Sequence, residues 1–419
     1  MRICFVSGEY PPMQGGVGDY TRELGRALVQ MGHQVVAVTF ARALPAAGQP
    51  PLACASSSSD EASCQALREA PEADVLPVVQ GWNWRSWSHV LNAARRSRSD
   101  LVHIQYQTAA FGMHPAVNFL PLRLRLSNAA PRTAVTFHDL RVPYLFPKAG
   151  VVRKWVNIAL ARWSDAVIAT NIEDYGSLDG WLGFERIARG GSGRPILRHI
   201  PIGSNIRPSL PLGYDRDTHR GRLGVAQDEV LLCYFGFLNA SKGGETLVRV
   251  LAELVQRQHR VRLLMIGGQV GDSDPTNQAY LRRVEVLATE LGMGARILWT
   301  GYTGAEEVSA NLTAADVCIL PYRDGASFRR GSFMAALAHG MPIVSTWPTT
   351  PLSSLADGEN IRLVPPDDAL AAANAVESLI LSPAVRRRLA QGARELAGTF
   401  SWENIALQTL QLYADLLSA

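Results

Sequence analysis

The chain is short of cysteine, of long apolar runs and of net charge, and each shortage removes a class of protein. Five cysteines stand among 419 residues, at positions 4, 54, 64, 233 and 318, an odd count with no CxxC spacing. That argues against a disulfide framework and against a zinc site. Cys4, Cys233 and Cys318 lie inside apolar runs and read as small core residues. No stretch reaches the ~18 apolar residues of a membrane-spanning helix. The opening MRICFVSGEYPP is too short in its apolar part for a signal peptide. These features lead to the expectation of a cytoplasmic protein, with any membrane contact peripheral and at the inner face. Charged residues are 19% of the chain and the formal net charge is +4. So mild an excess favours anionic ligands or a membrane surface. Diluted by 37 acidic residues, it does not argue for nucleic acid.

What is present is a globular composition, 47% hydrophobic, in a chain too long for one ordinary core. At ~150 residues per domain, two or three domains are expected. Both halves alternate short β-branched runs with helical stretches, the pattern of βαβ units on a parallel sheet. In the first half, ICFVSG reads as a buried strand, and DYTRELGRALVQMGH places Leu24, Ala27, Leu28 and Met31 on one helical face. VVAVTF, DVLPVV, LVHIQY, TAVTFHD, AVIAT and ILRHIPIG follow as strands. In the second half, the strands are EVLLCYFGFL, VRLLMIGG, RILWTGY, VCILPY and MPIVST. Pro and Gly cluster at 201–213, between the halves. The expected fold is therefore α/β, with two facing Rossmann-like, doubly wound domains over 1–203 and 204–401. The amphipathic helix at 402–419 packs back on the first domain. Ligands bind at strand carboxyl ends in such folds, which points to an interdomain cleft. Residues 43–70, rich in Ala, Pro and Ser, read as a surface loop.

Several segments at strand ends could carry chemistry. In GEYPPMQGGVGDY, Gly15 and Gly16 allow a ligand close to the backbone where a helix begins, and a free helix N-terminus attracts anions. The spacing is not GxGxxG, so the turn by itself could equally be a tight strand-to-helix connection. Lys242, in FGFLNASKGGETL, can meet phosphate or lie solvated. His138 ends a strand in AVTFHDL and could donate to a sugar hydroxyl or be structural. In RDGASFRRGSFMAALAHG, Arg329 and Arg330 lie near a helix start and suit a diphosphate, while Ser327 and Ser332 could cap the helix or bind a ligand. Asp272 and Asp274 form a DxD triplet that reads as helix capping and loop solvation before metal binding. WNWRSW at 82–87 is either helix packing or an acceptor surface. LPLRLRLS at 120–127 and VVRKWVNIALARW at 151–163 are either packed helices with exposed basic residues or membrane-surface elements.

In order and spacing, GEYPPMQGGVGDYTRELGRALVQMGHQV, FHD at 137–139, IPIGSN, FGFLNASKGGETL, AADVCILPY and AALAHGMPIVST resemble the retaining GT-B glycosyltransferases of family 4, the group 1 transferases. The resemblance covers nearly the whole chain. It implies a nucleotide-diphosphate sugar as donor and a glycan, lipid-linked or small-molecule acceptor, with no cofactor, no metal and no nucleic acid partner. By position, it implies that Gly16 approaches the donor diphosphate and His138 contacts the transferred sugar. Lys242 would bind the diphosphate and stabilise the leaving nucleotide, and Tyr302 would lie near the base. His138 and Lys242 are the catalytic candidates. The donor-binding candidates are Gly15, Gly16, Asn239, Lys242, Tyr302, Asp324, Ser327, Phe328, Arg329 and Arg330.

Three positions depart from the family pattern. Phe237 stands where an arginine is usual, Ala335 at the second of two paired glutamates, and Ser327 (or Ala326, with a one-residue slip) at the first. Arg329 and Arg330 are candidates to replace the arginine, and Asp324 to supply a carboxylate. The competing readings are a non-catalytic nucleotide-sugar binder and another GT-B enzyme, an epimerase or a phosphorylase.

Overall fold

A computed structural model describes residues 1–13, 15–43, 72–127, 131–140, 150–189, 195–267 and 275–418. The Ala/Pro/Ser segment beyond Ala43, Cys54, Cys64 and the Asp272/Asp274 triplet lie outside the described residues. The chain divides into two compact units, Met1–Asn205 with Ser401–Ala419, and Ile206–Phe400. Among the described residues no helix is long and apolar enough to cross a membrane.

The first unit holds a parallel sheet of seven strands among the described residues, in the order β3-β2-β1-β4-β5-β6-β7. They are β1 (Arg2–Ser7), β2 (Gln34–Phe40), β3 (Asp74–Val79), β4 (Leu101–Tyr106), β5 (Arg132–Phe137), β6 (Ala166–Ala169) and β7 (Ile196–His199). Alternation sorts the side chains to two faces. Ile3 and Phe5 of β1 point to one face with helix α1 (Gly16–Gln30) and the C-terminal helix, Trp402–Ser418. Cys4 and Val6 point to the other, under α2 (Ser86–Arg96), α3 (Leu120–Arg125), α4 (Gly150–Trp163) and α5 (Ile172–Arg189). WNWRSW divides: Trp82 is buried edge-on against Phe111 and Trp87 donates its indole N–H to the Ala116 carbonyl at 2.9 Å, while Trp84 stays half exposed.

The second unit repeats the plan in the order β10-β9-β8-β11-β12-β13. Its strands are β8 (Val230–Phe235), β9 (Val261–Ile266), β10 (Ile297–Trp299), β11 (Val317–Leu320), β12 (Ile343–Thr346) and β13 (Arg362–Val364). The edge strand β13, three residues opening on Arg362, is not among the strands expected from the sequence. Helices α6 (Gly244–Gln256) and α7 (Gly331–Ala338) follow β8 and β11. In both sheets the strand order reverses at a central pair, β1/β4 and β8/β11, where the connections part to opposite sides and leave a crevice at the carboxyl ends.

At the opposite, N-terminal edge, three aspartates each stand one residue before a strand and grip its neighbour. Asp100 accepts from the Arg2 N–H at 2.8 Å and its guanidinium at 2.7 Å. Asp165 accepts from the Thr133 N–H at 2.8 Å and hydroxyl at 3.0 Å. Asp316 accepts from the Leu231 N–H at 2.9 Å, from Arg216 at 2.7 Å and from Arg220 at 3.0 Å. An N–H in the first two residues of a strand can lack a partner within its own ladder, so the carboxylate satisfies a group that burial would otherwise leave costly. Removing Asp316 would strand the buried Arg220 guanidinium. Asp316→Ala should therefore lower stability by about 3 kcal/mol, read as an earlier chemical-denaturation midpoint, whereas an unchanged midpoint would mean the cluster contributes little.

Candidate active site

In the first unit the β1/β4 crevice is lined by Gly15 and Gly16, Gln105 and His138. Gly15 caps α1 with extended backbone, and no side chain of its own bonds the helix start. The carboxylate of Glu9 does that work. It accepts from the N–H of Val17 at 3.0 Å and of Gly18 at 3.3 Å. A Cβ on Gly15 would lie 2.1 Å from that carboxyl group, so any larger residue there would push the Glu9 side chain off the helix start. Burial raises the pKa of Glu9, and the two N–H bonds oppose the rise. Part of the anion-attracting helix start is thus already occupied by the protein itself. Gly16 is exposed, and a Cβ there would meet open space, so its backbone is the part left approachable.

His138 continues β5, its N–H donating to the Tyr106 carbonyl at 3.0 Å. Its ring packs edge-on against Tyr20 of α1, centroids 4.6 Å apart. Nε2 lies 3.0 Å from Gln105 Oε1. A carbonyl oxygen only accepts, so Nε2 carries the proton and Nδ1 is left as an acceptor. Behind His138 lies a buried relay that spacing does not reveal. Gln105 Nε2 is 3.5 Å from His103 Nδ1, which also takes the Tyr413 hydroxyl at 2.5 Å, while His103 Nε2 meets Thr136 Oγ1 at 2.8 Å. Burial pushes the pKa of His138 down to about 3, and that of His103 likewise.

In the second unit the carboxyl ends of the neighbouring strands β8 and β11 bring two loops together. Asn239 turns its Oδ1 to the Ser241 N–H at 3.1 Å and hydroxyl at 2.8 Å, closing the turn that presents Lys242. Gly243 follows at φ +70°, and a Cβ there would lie 2.0 Å from the Pro321 carbonyl oxygen. Both the dihedral and the close approach require glycine. From the other loop, Arg330 pairs with Asp324. Tyr322 lies between them. The Lys242 ammonium sits over its ring at 5.1 Å from the centroid and the Arg330 guanidinium at 4.1 Å. The Tyr322 hydroxyl is 2.7 Å from Ser332 Oγ. Burial, then the charge of Arg330, pushes the pKa of Lys242 down to about 8. One buried ring therefore holds two cations together, with Asp324 set against them; the ring face favours each cation, and their mutual repulsion favours an added anion.

Helix α7 starts at this cluster with no side-chain cap. Capping and ligand binding were both open to the two serines, and neither caps the helix: Ser332 is engaged with Tyr322, and Ser327 Oγ accepts from the Arg329 N–H at 3.4 Å. The Phe328 ring packs, tilted, against Phe400 at 4.6 Å and Phe333 at 5.8 Å between centroids, a hydrophobic anchor for the loop. Tyr302 is exposed on the loop after the edge strand β10, two strands across from β8. Phe237 is exposed, and Ala335 is fully buried inside α7. The sequence reading missed Glu9, Gln105 and Tyr322; each lies in a segment already singled out, beside a glycine, a histidine or an arginine.

Residues 215–396 match glycosyl transferases group 1, and residues 15–174 match a glycosyl transferase 4-like domain. The chain is a member of the group 1 glycosyltransferases. Among curated proteins, this chain is 33% identical over 225 residues to D-inositol 3-phosphate glycosyltransferase of Corynebacterium efficiens, a match covering 52% of this chain and 51% of that one. The matched region thus spans about half the length of such relatives. Among solved structures, sucrose-phosphate synthase from Thermosynechococcus elongatus shares the fold with a TM-score of 0.68 at 24% identity, over 100% of this chain and 99% of that one. Anabaena HepE in complex with UDP and glucose gives a TM-score of 0.70 at 18% identity, over 99% and 100%. These likenesses carry the two-sheet α/β architecture, the GT-B fold that the sequence resemblance implied.

The depressed pKa of His138 has a direct readout. Its ring should stay neutral from pH 5 to pH 8, with Nε2 protonated, in nitrogen-15 spectra of the labelled protein. A titration in that window would show that the ring is not held as described.

Proposed function

We propose that this glycosyltransferase moves a glycosyl group from a nucleotide-diphosphate sugar to an acceptor hydroxyl, with the diphosphate bound at the second unit's strand ends. The observation that carries the proposal is the meeting of Lys242 and Arg330 on the ring of Tyr322, beside the uncapped start of α7. A diphosphate brings more than one negative charge to this cluster, and an uncapped helix start offers it free N–H donors. In the reaction the bond from the sugar's anomeric carbon to the phosphate oxygen breaks, and its electron pair leaves with the diphosphate. The acceptor oxygen bonds to that carbon and loses its proton. Charge therefore builds on the leaving group, and preorganised cations stabilise it most in the transition state. Lys242 and Arg330 fill that role, Arg329 adds charge from the same loop, and Asn239 and Gly243 are the positioning residues for Lys242. In the first unit, Gly16 offers backbone to an anion, and His138 Nδ1 accepts from a sugar hydroxyl.

The UDP and glucose held by HepE support the donor class, and the name of the curated relative supports the transfer reaction. We further propose that transfer proceeds with retention and without a metal, since fixed cations stand where a diphosphate needs compensation. The acceptor class stays as broad as a glycan, a lipid-linked saccharide or a small molecule. Ala335 and Ser327 favour a second reading, nucleotide-sugar binding without turnover, because neither supplies the carboxylate that the family pattern places there.

A panel of UDP, GDP, ADP and their sugars should include one that stabilises the protein by ~2.7 kcal/mol at about 100 times its dissociation constant. Lys242→Ala and Arg330→Ala should each weaken that nucleotide about ten- to hundredfold, the loss of one charge-assisted contact. Turnover that persists in EDTA and falls further than affinity in Lys242→Ala would support the transferase; binding with no turnover would favour the second reading, and no response to any nucleotide would defeat both. The pH dependence has a defined sign. With the free-protein pKa of Lys242 near 8, its ammonium is charged below that value and neutral above it. Affinity should therefore fall as the pH rises through 8, and Lys242→Arg should flatten the profile, because a guanidinium stays charged there.

A further inference from the structure

Four buried polar side chains of the first unit run from the C-terminal helix to His138, and the proposed transfer gives them no task. Tyr413, His103, Gln105 and Thr136 are each fully buried. Strand alternation puts His103 and Gln105 on one face of β4, and Gln105 pairs in register with Thr136 of β5, two residues before His138. The His103 ring is held edge-on by Phe5 and by Tyr413, with centroids 5.5 and 5.6 Å away. With the ring held, what can still vary is where its proton sits and which way the Gln105 amide faces.

Each bond in this line constrains the next. A phenol gives a proton to an imidazole nitrogen more readily than it accepts one, so across the 2.5 Å contact Tyr413 donates and His103 Nδ1 accepts. Burial keeps the His103 ring neutral, so its one proton is on Nε2, which donates to Thr136 Oγ1 at 2.8 Å. Gln105 faces the Nδ1 lone pair at 3.5 Å and turns its amide N–H groups to it, because its carbonyl oxygen would be repelled there. Oε1 is left to face His138 Nε2 at 3.0 Å, and the His138 proton is fixed on that nitrogen. Reversing the first bond reverses the rest. His103 Nδ1–H would meet Oε1, the Gln105 N–H groups would meet His138 Nε2, and His138 would carry its proton on Nδ1. The buried groups are satisfied in either direction, so the choice lies with the donor at the far end.

We propose that Tyr413 is a positioning residue: acting through His103 and Gln105, it sets His138 Nδ1 as an acceptor. The role deepens the proposed transfer and rests on the reading that a sugar hydroxyl meets that nitrogen.

The test uses full-length protein labelled with nitrogen-15 histidine, in which two-bond proton–nitrogen spectra tell Nδ1–H from Nε2–H. The two signals are assigned with His103→Gln and His138→Gln proteins. In the wild type both rings should carry Nε2–H. Tyr413→Phe with Thr136→Val removes the phenol donor and the acceptor of His103 Nε2–H while keeping the shape of both side chains, so the melting temperature should stay near wild type. Both rings should then go over together to Nδ1–H, by about tenfold in their population ratio, because the other form leaves a buried N–H without a partner. Affinity for the nucleotide sugar should fall about tenfold with the loss of the competent form, and affinity for the bare nucleotide diphosphate should not change. Tyr413→Phe alone, the milder change, should bring both rings to about an even mixture and reads the same coupling. With Gln105→Met added, the double change should move His103 alone. The proposal is overturned if neither ring changes, if His103 changes while His138 keeps Nε2–H, or if His138 still follows without Gln105. Rings that switch together at unchanged nucleotide-sugar affinity would uphold the control of the tautomer and defeat instead the reading of His138 as a sugar contact.

Discussion

Parallel strands impose a polarity that the rest of this molecule follows. Every strand of a parallel sheet runs the same way, so all N-terminal ends gather on one edge and all carboxyl ends on the other. The two edges of each sheet are built from different materials. Asp100, Asp165 and Asp316 sit on the N-terminal edges, where they satisfy N–H groups at the starts of strands and arginines and leave little for a ligand. Gly15, Gly16, His138, Lys242 and Arg330 sit at the carboxyl ends, where backbone and charge stay approachable. Cohesion and chemistry are thus segregated by chain direction, in both units.

At the carboxyl ends the two units handle charge in opposite ways. The first supplies its own anion: Glu9 reaches across the glycine turn and takes two N–H groups of α1. The second gathers cations and only partly offsets them, with Asp324 held by Arg330 and Lys242 left over the Tyr322 ring. The depressed pKa of Lys242 records the same imbalance, since burial and a neighbouring guanidinium both disfavour its proton. A docked polyanion would relieve that imbalance without further rearrangement of charge.

The fold was legible in the sequence because buried strands advertise themselves as short β-branched runs between turns. LVHIQY, DVLPVV and VCILPY read that way and form β4, β3 and much of β11. RLV at 362–364, an edge strand of three residues that opens on a charged side chain, did not stand out. Lys242 and Arg330 were also legible, as cations at strand-to-helix turns. Their shared ring was not, because Tyr322 meets them only through packing of two loops more than 70 residues apart. Phe328 shows the converse. Placed beside Arg329 it reads as a ligand contact, yet its ring closes on Phe400, a neighbour no local pattern announces. His138 was found by its position at a strand end, while its tautomer follows from Gln105 and needs three dimensions.

The C-terminal helix, Trp402–Ser418, joins the unit begun by residue 1. Its Trp402 indole donates to the Ser204 carbonyl at 2.8 Å, and its Tyr413 hydroxyl reaches His103 in the middle of the first sheet. The 195 residues of Ile206–Phe400 are therefore, in chain order, an insertion within the first unit. On the ribosome the inserted unit can emerge and fold while its host still waits for the helix Trp402–Ser418. The imidazole relay behind His138 closes only once Tyr413 has been made, so the order of synthesis places completion of that site after the whole of the inserted unit.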